Sequence, residues 1–272
     1  MIDIVTVAFR DELPVLRAQA QSINLYATGI GVRSIYVIVN DEPYVAGMIS
    51  TDWWGSLRDR VRIIHKDAFS CSFDPNGWLS QQLLKILASA MSNNAWSMVL
   101  DAKTILVRPL VLDKIMQDNK MQVGSLDVYP VFEQSKNITE NLFDIVVKYQ
   151  LGPGGVPFFF HNATVREMIV DVERITGKSF PLWFQAQGML TEFILYSGYL
   201  YCRDHGFDKL YGPNNIGTVT NICHSEVGIY DSKSQQFPMS TTVSIHRAAW
   251  SALSNQQQQS YRDFLHSRGI TL

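Results

Sequence analysis

Met98-Val99-Leu100 run straight into Asp101, and after the polar gap Ala102-Lys103-Thr104 apolar residues resume until Pro109. A buried strand that delivers a carboxylate at its C-terminal end has this pattern. That end of an open α/β sheet is where ligands bind. The plainer reading makes Asp101 a cap for the turn after the strand. Upstream, Gln81 and Lys85 are four apart and share one sector of a helix with Gln82 nearby. Their amide and ammonium groups suit hydroxyls or phosphate. They equally suit the solvated face of a helix whose core side is Leu79, Leu83, Leu84 and Ile86. Glu192 falls where a helix starts, so its carboxylate is either a helix-dipole partner or a base or nucleophile. Asp41, just past an apolar run, either meets the base or ribose of a nucleotide or starts the turn before Pro43. His246 ends an alternating strand, where a histidine is commonly no more than a hydrogen-bonded residue.

These side chains need elements to carry them. Residues 2–9 are predicted as a first strand, and the acids and Pro14 that follow open a helix through residue 25. Residues 34–39, 60–64 and 98–106 are predicted strands, and 77–92 a helix. Strand-helix alternation through residue 110 implies an α/β fold with a mainly parallel sheet flanked by helices. Beyond it, helices are predicted over 137–149, from Thr164 (three residues before Glu167, a capping-box spacing) through Ile175, and over 191–202. Loops and short strands fill 206–240, and Ser254 starts a polar terminal helix. Gly152-Pro153-Gly154-Gly155 lacks G-x-x-x-x-G-K-[ST] and precedes a strand, so it is expected to be a turn beside a cleft rather than a phosphate loop. Gly29-Ile30-Gly31 ends a helix instead of starting one.

Composition excludes several classes. The chain has 272 residues, 46% hydrophobic and 18% charged, with a formal net charge of -2. This is ordinary globular material for one domain of about 200–250 residues or one with appendages. No Lys/Arg run interleaves with aromatics, so a nucleic acid polymer is not an expected partner. Three widely spaced cysteines, Cys71, Cys202 and Cys223, do not make a disulfide framework and fit a reducing compartment. Cys202 with His205, and adjacent Cys223 and His224, do not have zinc-finger or zinc-ribbon spacing. The N-terminus begins a strand at once and has no signal-peptide features. No apolar run approaches the roughly 18 residues that span a bilayer. A soluble, cytoplasmic protein is expected.

Four separated blocks then line up. They are Thr6-Val7-Ala8-Phe9-Arg10-Asp11; Gly77-Trp78-Leu79-Ser80-Gln81-Gln82-Leu83-Leu84-Lys85; Pro181-Leu182-Trp183 with Thr191-Glu192-Phe193-Ile194-Leu195-Tyr196; and His246 with Trp250. Their order and spacing resemble small glycosyltransferases of the GT-A fold. More narrowly, they resemble uncharacterised bacterial and phage transferases with a G-W-x-x-Q-Q-x-x-K helix and an S-E-Y-like helix. The resemblance spans most of residues 1–250 and implies a Rossmann-related, mixed but mainly parallel sheet in a single domain over 1–272. Residues 1–110 would form a nucleotide-binding half, 111–250 an acceptor half and 251–272 a C-terminal helix.

The same resemblance implies a hexosyltransferase that moves a sugar from a nucleotide-diphosphate donor, UDP-sugar first, to an acceptor hydroxyl. Thr6, Ala8, Phe9, Arg10 and Asp41 would frame base and ribose, and Gln82 and Lys85 would orient the donor. Glu192 would face the acceptor as a base for inversion. Asp101-Ala102-Lys103 stands where an Asp-x-Asp motif holds a divalent metal on the diphosphate, so Lys103 replaces the second acid. Asp101 and His246, helped by waters and phosphate oxygens, are expected to hold Mn²⁺ or Mg²⁺. The alternative is that Lys103 itself neutralises the diphosphate as a point charge. Trp78 is expected to pack rather than stack on sugar, and Trp250 to pack beneath His246. A non-catalytic nucleotide-sugar or glycan-binding protein is the main rival. A nucleotidyltransferase fits less well, because Phe9-Arg10-Asp11-Glu12 stands where its Gly-rich basic loop belongs.

Overall fold

The computed structural model describes residues 1–75, 77–152, 156–214 and 217–272. Four parallel strands, β1 (Ile2–Ala8), β2 (Val32–Val39), β3 (Val61–His65) and β4 (Trp96–Asp101), form the centre of a five-stranded sheet. The fifth strand, Phe158–His161, joins the free edge of β4 antiparallel. The order across the sheet is Phe158–His161, β4, β1, β2, β3. Every residue of β1 is buried, which is why its sequence is a near-continuous apolar run instead of an alternation. The helices α1 (Leu13–Tyr26) and α2 (Gly77–Met91) connect these strands. From β1 the chain passes through α1 to β2 on one side, while β4 pairs with β1 on the other. This reversal of strand order opens a crevice at the C-terminal ends of β1 and β4. The register pairs Val7 with Asp101 and Ala8 with Val39, so Asp101 lies beside the end of β1.

A second, three-stranded sheet stands over that crevice. The strand β5 (Ile105–Leu106) pairs antiparallel with Thr242–Ile245, which pairs parallel with Val219–Ile222. It has its own apolar cluster, including Ile105, Val107, Ile222, Val243, Ile245 and Leu265. Tyr26 at the end of α1 packs against both this cluster and the main core.

The fold class expected from the sequence is the one observed, a mainly parallel mixed sheet flanked by helices. Several boundaries differ for physical reasons. The single strand expected over 98–106 is two strands, because Thr104 N donates to Asp101 O at 2.8 Å and closes a turn between β4 and β5. The helix expected over 137–149 runs Glu133–Phe143 and ends where Asp144 takes a left-handed φ of 53°. Residues Tyr149–Leu151 instead pair with Ser125–Asp127. The helix expected from Thr164 starts at Asn162. Thr164 is therefore no cap: its hydroxyl lies 2.9 Å from His161 Nδ1 and accepts from Arg203 Nη1 at 2.7 Å. Thr191 and Ser254 do cap, each accepting from the backbone N–H three residues on. Of the Gly152–Gly155 turn, residues 153–155 lie outside the described residues. Among the described residues no helix is long and apolar enough to cross a membrane.

Candidate functional site

The crevice is a cleft of about 1180 Å³ whose floor carries Lys85, Asp101 and Lys103. Three elements bring them together. β4 delivers Asp101 at its last position, the turn into β5 delivers Lys103, and the buried face of α2 delivers Lys85. The turn itself is pinned from below. Gln19 Nε2, buried in α1, donates to Asp101 O at 2.5 Å and to Thr104 O at 3.0 Å. Ser22 Oγ accepts from Leu106 N at 3.1 Å, one helical turn on.

The charges interlock. Lys85 Nζ donates to Asp101 Oδ1 at 2.7 Å and to Glu192 Oε1 at 2.9 Å. Lys103 Nζ donates to Asp101 Oδ2 at 2.9 Å. Gln81 Nε2 approaches Asp101 Oδ1 at 3.5 Å, and the Lys85 ammonium lies 5.3 Å from the centre of the Phe193 ring. Burial pushes the Asp101 carboxyl up, but the Lys103 and Lys85 ammoniums outweigh it and hold the group well below the usual carboxylate range. Burial works against the Lys85 charge, and Asp101 and Glu192 more than offset it, so the lysine titrates above its ordinary value. Burial also raises the Glu192 carboxyl, and here Lys85 only partly opposes it. Glu192 Oε2 has no hydrogen-bond partner among the described residues.

The expected donor residues divide. Phe9, Asp41, Gln82, Lys85, Asp101, Lys103 and His246 line the cleft. Thr6, Ala8 and Ala102 do not: they are fully buried in the sheet and the turn, so they shape the floor without facing it. Arg10 also lies outside the lining. Its guanidinium turns to Tyr44, with Nη1 donating to the phenol oxygen at 2.9 Å, while its backbone N–H donates to Asp41 Oδ2 at 2.8 Å. Asp41 Oδ1 accepts from Glu42 N at 2.8 Å. The Arg10 backbone N–H, ahead of the Glu42 one, keeps the Asp41 carboxyl below its ordinary value. Gln82 is nearly buried and gives its amide to Trp78 O at 3.2 Å.

Glu192 does not face the cleft as expected. It is fully buried behind Lys85, and its neighbours Thr191 and Phe193 line the wall instead. Trp78 is 39% exposed and lines the cleft, which corrects the expectation that it packs away. Trp250 packs edge-on against Tyr261, with ring centroids 5.9 Å apart, and its backbone N–H donates to His246 O at 2.8 Å. Residues the sequence did not single out also line the cleft, among them Glu12, Tyr129, Asn221, Ser244 and Arg247. Gly77 has a visible reason for its identity: a Cβ there would stand 3.0 Å from the Phe9 ring.

The donors at Asp101 do not fit the divalent metal expected for this fold. Both carboxylate oxygens already accept from ammonium groups. At about 4 Å and an effective dielectric near 20, unit charges interact by about 4 kcal/mol, and a divalent ion doubles that repulsion against each ammonium. Burial, then the Lys103 ammonium, lowers the His246 pKa from its ordinary value. Among the described residues no group of three or more His, Cys, Asp or Glu side chains could hold an ion.

Comparison with solved structures bears on the fold. The galactosyltransferase LgtC, crystallised with donor and acceptor sugar analogs, is 12% identical, with a TM-score of 0.54 over 99% of this chain and 96% of that one. An active-site mutant of LgtC is 11% identical, with a TM-score of 0.52 over 97% and 95% of the two chains. At these identities the likeness is one of fold, the GT-A glycosyltransferase fold. No curated protein matches the chain. A sequence family does, over residues 8–248, from the end of β1 to just past His246, and the chain therefore belongs to the family of unknown function DUF6492.

Proposed function

We propose that this chain is a glycosyltransferase that takes a sugar from a nucleoside-diphosphate donor and passes it to a hydroxyl acceptor. The observation that carries this reading is the pair of ammoniums, Lys85 and Lys103, anchored at the C-terminal end of β4 in a large cleft at the strand-order reversal. A diphosphate brings negative charge to that place, and more develops on it as the glycosidic bond breaks. Cationic groups fixed in advance stabilise that developing charge without reorganising.

The remaining walls suit the rest of the donor. Asp41 is held as a carboxylate by backbone N–H groups, and its free lone pairs suit ribose hydroxyls. Phe9, ordered against Gly77, offers a ring for a nucleobase. Trp78, Tyr129 and Phe193 give aromatic surface for sugar rings. UDP-sugars, and hexoses among them, are the donors to test first. Residues 1–110 supply most donor contacts in this reading and 111–250 the acceptor wall, within one domain.

Glu192 acts through Lys85. It holds the ammonium from behind and does not take the acceptor proton. Its withdrawal from the cleft favours one second reading, a nucleotide-sugar-binding protein without turnover. A panel of nucleotide sugars incubated with the protein and candidate saccharide acceptors separates the two. Release of nucleoside diphosphate that depends on the acceptor supports transfer. Saturable donor binding with no release above buffer supports the binding protein.

A further inference from the structure

We propose that the chain seats its nucleoside diphosphate without a divalent cation: Lys103, with Lys85 behind it, supplies the positive charge, and Asp101 is the counter-ion that aims both ammoniums. This inference rests on the donor reading above and goes further by naming what neutralises the phosphates. Three observations carry it. The two oxygens of Asp101 are each taken by a different ammonium, at 2.7 and 2.9 Å. The residue two positions on, where a second acid would complete a metal site, is itself one of those ammoniums. The second carboxylate near Lys85, that of Glu192, is sealed away from the cleft and cannot reach an ion there.

The three-residue segment Asp101-Ala102-Lys103 is built to hold this arrangement. Ala102 is fully buried, which turns Asp101 and Lys103 to the same side of the turn. Gln19 locks the carbonyls of Asp101 and Thr104 at either end. Lys103 retains partial exposure, 19% of its side chain, so its free N–H groups face the cleft. Lys85, at 2%, is a fixed buried charge that Asp101 and Glu192 hold. Lys103, held by Asp101 through one contact and open to the cleft, is the ammonium placed to meet a phosphate.

Calorimetric titration with UDP, GDP, ADP and CDP, each in EDTA and in Mn²⁺, tests this on the full chain. At least one diphosphate is expected to bind, with affinities in the two buffers within about threefold. Lys103→Met is expected to weaken that binding roughly 10- to 100-fold in both buffers, as loss of a hydrogen bond to a charged group does. Lys103→Arg should stay within a few-fold of wild type. Circular dichroism of each variant separates lost binding from lost fold. Electron paramagnetic resonance of Mn²⁺ with the protein alone is expected to leave the aqueous signal unattenuated. Binding seen only with Mn²⁺, or Mn²⁺ bound by the protein alone, overturns the metal-free seat and leaves the donor reading standing. No binding of any diphosphate in either buffer overturns both. Binding that persists in EDTA but ignores Lys103→Met also overturns the proposal, because the charge then comes from elsewhere.

Discussion

Lys85 is the residue on which the site's electrostatics turn. It is 2% exposed, and Asp101 and Glu192 accept from its ammonium on either side. Removing one partner of such a cluster leaves the others buried and uncompensated. Lys85→Met is therefore expected to lower unfolding free energy by about 3–5 kcal/mol, measured by urea titration. Glu192→Gln tests a different point. The amide preserves shape and can still accept from Lys85, so stability should change by no more than about 1 kcal/mol. If Glu192 only positions Lys85, turnover should fall by less than about tenfold, whereas loss of a general base costs roughly 10²- to 10⁴-fold. A fall in the larger range would return Glu192 to the chemistry. None of this pairing was legible beforehand, because Lys85 and Glu192 are 107 positions apart and each looks like an ordinary helix residue. Asp101 was legible, since an acid at the end of an apolar run can be read from local pattern alone.

At the level of elements, α1 matters more than its sequence suggested. Its core stripe is Leu16, Gln19, Ala20 and Ile23, spaced as a buried helical face should be, with one glutamine in it. That polar residue inside an apolar stripe was the available signal, and it marks the anchor of the turn that carries Lys103. Gln19→Leu should leave two carbonyls without their amide partner and cost about 1–3 kcal/mol. Diphosphate affinity should fall with it, because the turn loses its fixed position. Unchanged affinity by calorimetry would mean that the i→i+3 bond from Thr104 to Asp101 holds the turn by itself. The strands of the first half could be read because buried parallel strands are continuous apolar runs. The pieces after residue 110 could not be placed so well. Tyr149–Leu151 is three residues long, and its identity as a strand depends on a partner, Ser125–Asp127, that no local pattern announces.

Across the whole molecule, the opposed shifts of Asp101 and Glu192 give stability a pH dependence of known sign. Asp101 is lowered in the folded protein, so its contribution is present above its unfolded value of 3.8 and is lost as pH falls through the lower folded value. Glu192 is raised, so its contribution is present below 4.5 and is lost as pH rises through the higher folded value. Wild type should therefore lose some stability as pH climbs above 4.5, and Glu192→Gln should flatten that decline. Chemical unfolding of both proteins across this range reads the difference directly, and parallel curves would show that the fold does not raise the Glu192 carboxyl. The broad architecture followed from alternating strands and helices. The overhanging second sheet did not, since its strands come from 105–106, 219–222 and 242–245 and meet only in three dimensions.

That meeting has a consequence for how the chain matures on the ribosome. The stretch Ile105–Leu106, next to Lys103, finds its antiparallel strand partner at Thr242–Val243. A nascent polypeptide halted before those residues emerge would have all four parallel strands and both principal lysines, yet the lid over them would be absent. If the proposed donor seat is right, nucleotide capture should have to wait until residues 242–245 have folded back onto the first half.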